Sequence, residues 1–214
     1  MESQPRLSLR EEQKNLTRSR LLDAAVTVLN EKSVFDATME DIAKAANISR
    51  VTVYAHFPGK GEIVQALAER MYNLMGEAFA DLAALPRFTR AGVRQWLGAT
   101  ADRWRAMTSL LRAVRPASSL AARAPFSPRD RYLEAQARYV STLVGDSARW
   151  RDVPDAQARQ RAAMVVLQTE SFMTAWVQVG IPLDTEDPLE LLADSLCFLL
   201  EPAIENDARR PPAS

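Results

Sequence analysis

The chain has 214 residues, which suits one large domain or two small ones. Lys plus Arg equals Asp plus Glu at 27 each, so no global charge points to a nucleic-acid partner and any basic surface must be local. One Cys (Cys197) excludes an intramolecular disulfide and a thiolate metal site, and no stretch approaches the roughly eighteen apolar residues of a membrane span.

The first residues, "MESQPRLSLREEQKN", are polar and lack the apolar core of a signal peptide; with the single Cys, they lead to the expectation of a cytoplasmic protein. Residues 1–12 are expected to be a flexible arm. Helical spacing of Leu21, Ala25, Val28 and Leu29 predicts a first helix from about Gln13 to Lys32. Thr38 reads as an N-cap with Asp41 as its acidic partner, opening a short second helix with Met39, Ile42, Ala43 and Ala46 inside. Asn47 tolerates the left-handed conformation that stops a helix sharply. Ser49 then caps a third helix that reaches only about Phe57, because Pro58-Gly59 breaks it.

A fourth helix is predicted from about Lys60 to Leu85, before Pro86. Further helices are expected at about 89–114, 129–145, 155–180 and 187–204. The segment 115–130 has room for one more short helix, and a disordered tail is expected over 207–214. The seven Gly are too few for strand-rich turns, and neither GxGxxG nor GxxxxGKS/T is present. The fold class is therefore all-α.

Two short helices joined by a tight turn, "MEDIAKAANISRVTVYAHF", make a helix-turn-helix. Its second helix must show one face to a core and offer the other to a DNA major groove. Val53 and Phe57 sit four apart and face inward with Ile48. Arg50 stands at the exposed N-terminal end, where guanine is the commonest base read by Arg. Thr52, Tyr54 and His56 carry donors suited to phosphate oxygens, and Lys60 opens the next helix, whose free N–H groups also favour an anion. The candidate DNA-contacting set is Thr38, Ser49, Arg50, Val51, Thr52, Tyr54, Ala55, His56 and Lys60. Arg6, Arg10 and Lys14 form either a minor-groove arm or a solvated one. His56 is the only His in the chain, which argues against acid–base catalysis there.

The run "RLLDAAVTVLNEKSVFDATMEDIAKAANISRVTVYAHFPGKGEIVQAL" resembles the N-terminal domain of TetR-family transcriptional regulators. The resemblance rests on Leu22-Ala25, on Thr38 with Ile42-Ala43, on Thr52-Val53-Tyr54 with His56-Phe57, and on Lys60-Gly61-Glu62-Ile63. It covers roughly residues 15 to 67, about a quarter of the chain. Ser33 and Asn47 stand where that family usually has Gly, and Gly61 where it usually has an acidic residue. The resemblance implies a homodimer on a palindromic double-stranded operator, usually as a repressor. It implies a helical C-terminal domain with a small-molecule pocket, whose occupancy moves the fourth helix and releases DNA. It also implies that the last two long helices pair with their copies.

The expected layout is thus a helix-turn-helix DNA-binding domain over 13–60 and a larger helical ligand-binding and dimerisation domain over 61–206. Trp96, Trp104, Met107, Phe172 and Trp176 are candidate lining for a small apolar or aromatic effector, although aromatics and Met on helices more often build a core. Leu192, Leu196 and Leu199 are the candidate dimer stripe. Glu170 lies in the apolar run "VVLQTESFMTAWV" and needs a partner if buried: a structural hydrogen bond, an interface contact or a cationic ligand. No cofactor, metal, membrane partner or catalytic chemistry is expected. The competing reading is a helical protein-interaction module that binds no operator.

Overall fold

The computed structural model describes residues 8–121, 128–145, 149–183 and 186–200, the side chains of 115–121 excepted. Residues 1–7 of the expected arm, Arg6 among them, and the expected tail at 207–214 lie outside the described residues. The described residues are helical with no strand. They divide into two compact units, the first drawn from Met1–Met71 and Thr108–Asp130, the second from Tyr72–Met107 and Arg131–Ser214. No helix among the described residues is long and apolar enough to cross a membrane.

In the first unit, α1 spans Leu9–Glu31. It starts four residues before the expected Gln13, because Ser8 and Glu11 form a capping box that satisfies free amides of the first turn. Arg10 and Lys14 therefore stand on a helix, not on an extended arm. Leu21, Leu22, Ala25, Val28 and Leu29 form its buried stripe. The helix ends at Lys32 in extended conformation, and the Ser33 hydroxyl bonds Asp36 in the turn that follows. No positive φ is needed there, which explains why Ser serves in place of Gly.

Helices α2 (Met39–Ala46) and α3 (Arg50–His56) follow, with Asn47 between them at φ 53° and ψ 48°. The Asn47 and Ile48 amides donate back to the Lys44 and Ala43 carbonyls, closing the turn. Helix α4 (Lys60–Ala83) gives its first twelve residues to the first unit and its remainder to the second. Helix α6 (Thr108–Ala121) packs on α1, and Asn30 donates to the Ser109 carbonyl at 2.9 Å.

The second unit holds α5 (Arg90–Ala106), α7 (Pro128–Val144) from Arg131 onward, α8 (Asp155–Met173), a π-helical turn over Thr174–Val179 and α9 (Glu190–Leu200). The single helix expected at 89–114 is broken at Met107, where no Gly or Pro marks the chain. Packing imposes that break: α5 lies against α9, whereas α6 lies against α1. The helix expected to 180 widens at Thr174 into the π turn, and Gly180 at φ 75° closes it. Arg90 and Arg94, four apart on α5, bind α9 through its acidic start: Arg90 reaches Asp194 at 2.5 Å and also pairs with Glu190, while Arg94 reaches Asp187 at 2.5 Å. The core is Phe79, Trp104, Tyr139, Leu143, Val165, Met173 and Leu196, each at most 2% exposed.

Candidate nucleic-acid interface and effector region

Helix α3, the candidate reading helix, is short and firmly seated. Val53 and Phe57, at 0% and 1% exposure, anchor α3 from beneath. The Arg18 guanidinium of α1 stacks 4.3 Å from the Phe57 ring centroid and donates to the His56 carbonyl, which blunts the exposed end of α3. Arg20 donates to the Ala46 carbonyl and holds the end of α2 in the same way. Sequence spacing alone does not reveal Arg18 and Arg20 as parts of this support, because their partners lie far along the chain.

The opposite face of α3 is open. Arg50, Val51, Tyr54 and Ala55 are exposed, Val51 at 81% and Tyr54 at 45%. An isolated Val with that exposure has no packing role on a seven-residue helix. Arg50 lies 3.3 Å from Glu40, an exposed pair that a stronger anion can exchange. Ser49 caps the helix through the Thr52 amide at 3.1 Å, and the two hydroxyls lie 2.8 Å apart. His56 is half-buried, with no hydrogen-bond partner for Nδ1 among the described residues. Burial lowers its pKa, and Lys14 and Arg18 lower it further, so the ring is neutral at pH 7.

Two of the candidates are more occupied than the sequence suggests. Thr38 accepts from the Asp41 amide and gives its own hydroxyl to Asp41, which also takes the Lys32 ammonium at 2.6 Å. Lys60 donates to the Ala37 carbonyl at 2.6 Å and to the Phe35 carbonyl at 3.3 Å. It tethers the chain entering α2, and one ammonium hydrogen remains for another acceptor.

The sequence profile described as "Bacterial regulatory proteins, tetR family" matches residues 21–67, the stretch that builds this support and reading face. That stretch is therefore similar to the N-terminal domain of TetR-family regulators. It is 45% identical over 67 residues to the HTH-type transcriptional regulator SrpR of Pseudomonas putida, a match covering 31% of this chain and 32% of that relative. The TetR likeness extends further at lower identity. The HTH-type transcriptional regulator BetI of Burkholderia thailandensis is 25% identical over 199 residues, 92% of this chain and 98% of the relative. The solved SmeT–triclosan complex superposes with a TM-score of 0.58 at 17% identity, covering 86% of this chain and 90% of that one, so the two share a fold.

In the second unit, the five candidate effector residues do not form one group. Trp96, Trp104 and Met107 are at most 5% exposed, and the Trp96 indole N–H donates to the Ala78 carbonyl at 2.7 Å. Trp96 joins Phe79, which meets Tyr139, in a closed aromatic core. Phe172 and Trp176 are half-buried and pair at 5.9 Å, and Arg105 lies 5.2 Å over the Trp176 ring. Only these two of the five retain a face that a ligand can reach without unpacking the core.

The candidate dimer stripe is corrected by burial. Leu192 and Leu196 are 8% and 0% exposed within a single chain, and Leu199 is half-buried. Their stripe faces inward because α9 packs on both α5 and α8. The apolar side chains left open are Leu191 (83%) and Phe198 (72%) on α9, with Met164 and Leu167 on α8. These four follow the helical period shifted from the inward stripe; absolute hydrophobicity in "LLADSLCFLL" hides which set faces out.

Proposed function

We propose that this chain is a sequence-specific DNA-binding transcriptional regulator that works as a homodimer on a palindromic operator. It represses there and is released by a small hydrophobic or aromatic effector. The observation that carries this reading is the exposed set Arg50, Val51, Tyr54 and Ala55, held on a helix whose other side is locked by Val53, Phe57 and Arg18. A rigid scaffold with open donors and one aliphatic contact is what base-edge reading in a major groove requires. SrpR and BetI carry the name of transcriptional regulators, and the SmeT structure holds triclosan, which supports an effector of that kind here.

Dimerisation is assigned to the open faces of α8 and α9, through Met164, Leu167, Leu191 and Phe198. Four large apolar side chains on two neighbouring helices suit a self-complementary two-fold contact. Effector occupancy reaches the reading helix through α4, which divides its length between the two units.

Arg50→Ala tests the reading. Anisotropy titration on the DNA upstream of the coding sequence should show a loss of about 1–3 kcal/mol and relaxed preference at one base pair per half-site. A variant with unchanged affinity and unchanged base preference overturns Arg50 as a reader. A wild-type chain that binds all fragments alike favours the interaction-module alternative.

A further inference from the structure

Several carboxylates of the second unit have an arginine partner. Asp81 pairs with Arg103, Asp102 with Arg105, Asp187 with Arg94, and Asp194 with Arg90. Glu170 on α8 is more buried than any of these, yet its hydrogen-bond partner among the described residues is a neutral amide: Gln136 Nε2 donates to Oε2 at 2.7 Å. Glu170, better shielded from water than those four, is thus held by no cation among the described residues. An amide fixes the orientation of a carboxylate but supplies no charge.

Its surroundings are aromatic. Tyr132, Gln136 and Tyr139 recur at the i, i+4, i+7 spacing of one face of α7, and Tyr72 approaches from α4. Burial raises the pKa of Tyr72, Tyr132 and Tyr139, and the charge of Glu170 raises each further, so all three lie within its field. Tyr139 gives its hydroxyl to the Tyr72 carbonyl at 2.7 Å and is buried. Tyr132 is 38% exposed, and Tyr72 and Glu170 are half-buried, so the group opens toward solvent on that side.

We propose that Glu170, flanked by Tyr72 and Tyr132, is the anionic end of a binding site for an organic cation. The ligand's charge pairs with the carboxylate and its apolar body lies against the tyrosine rings. Ring faces attract a desolvated cation, and a carboxylate that lacks a resident cation gains most from an incoming one. This rests on the effector reading and names the class of effector: a lipophilic ammonium or phosphonium, not a neutral aromatic.

Proton release accompanies binding. Burial raises the Glu170 pKa to about 7, while the Gln136 hydrogen bond opposes that rise. The other titratable or charged groups facing this cluster are Tyr72 from α4 and Arg131, Tyr132, Arg138 and Tyr139 from α7. The tyrosines are raised and stay neutral near pH 7, so Glu170 is the group that titrates there. A cation needs the ionised form, and its affinity should rise about tenfold from pH 6 to pH 8.

The test is a tryptophan-fluorescence titration of the full chain with tetraphenylphosphonium and with neutral triphenylphosphine oxide. Wild type should prefer the cation at least tenfold at pH 8 and lose most of that preference at pH 6. E170Q should bind both compounds alike at both pH values, with neutral-compound affinity unchanged. A wild type with no preference at pH 8, or an E170Q that keeps it, overturns the site. If E170Q does not fold by circular dichroism, the wild-type pH pair decides alone. DNA release by each compound, read by anisotropy, separates the two readings. Cation binding through Glu170 without release keeps the site and removes its effector role. Release by the neutral compound, with no cation preference, keeps the effector role and removes the site.

Discussion

Asp41 in the first unit and Glu170 in the second sit at opposite ends of the carboxylate range. Asp41 is solvated and receives Lys32, the Thr38 hydroxyl and the Thr38 amide, which together hold its pKa down to about 2. Burial dominates at Glu170 and pushes its pKa up to about 7. The first unit spends its charges on fixing short helices: Asp41 locks the start of α2, Glu11 the start of α1, Arg18 and Arg20 the ends of α3 and α2. The second buries the Glu170 charge beside a neutral amide, at a cost to its own stability. The proposed reading face requires the former, and the proposed cation site the latter.

The largest expected effect concerns the two sides of α9. Leu196 is fully buried, and Leu196→Glu places an unpaired carboxylate in the core of the second unit. It should destabilise by about 4 kcal/mol or more, seen as a lost or strongly lowered thermal transition. The pair Leu191→Glu and Phe198→Glu lies on the open side and should leave that transition within a few degrees while sedimentation shows monomer. A folded, dimeric double variant would move the proposed interface elsewhere.

Next in size is a pH effect of opposite sign in the two units. For Glu170 the folded pKa is raised above the unfolded value, so its contribution is fully present below about pH 4.5 and is lost as pH rises through about 7. For Asp41 the folded pKa is depressed, so its contribution holds above about pH 4 and is lost as pH falls toward about 2. Glu170→Gln should therefore stabilise the second unit at pH 8 by about 2–3 kcal/mol and have little effect at pH 5. Urea unfolding at the two pH values measures the difference. Equal stability of variant and wild type at pH 8 would mean that a cation already compensates Glu170.

The first unit was largely legible because its determinants are local. Thr38 with Asp41, Asn47, Ser49 and Pro58-Gly59 mark caps and breaks within a few residues, and the observed α2 and α3 follow them closely. The start of α1 was misplaced, since Ser8 and Glu11 lie in a polar stretch without the apolar period that signals a helix, and α6 was run together with α5. The second unit carried fewer local marks. The break at Met107 has no Gly or Pro, the π turn at Thr174 has no composition signal, and the inward choice of Leu196 over Leu191 depends on α5 and α8. Gln136 and Tyr132 share a face at helical spacing, but their relation to Glu170 is tertiary, which no spacing on α7 can supply.

Two glycines give the smallest and most local version of the same contrast. Gly61 is the second residue of α4, and a Cβ added there meets nothing within 4 Å. Its φ is not positive, so Ala fits the backbone and loses less conformational entropy on folding. Gly61→Ala should stabilise by about 0.5 kcal/mol, near the lower end of such substitutions because it sits in the first helical turn. Gly76, farther along the same helix, faces the Tyr139 ring, where a Cβ would lie 3.2 Å from the ring edge. That ring is buried, tied to the Tyr72 carbonyl and packed on Phe79, so it has little room to yield. Gly76→Ala gains the same helix propensity but should still lose about 1 kcal/mol net through overpacking. If Gly76→Ala proves as favourable as Gly61→Ala in thermal unfolding, Tyr139 moves freely, and the tyrosine wall beside Glu170 is softer than its hydrogen bond implies.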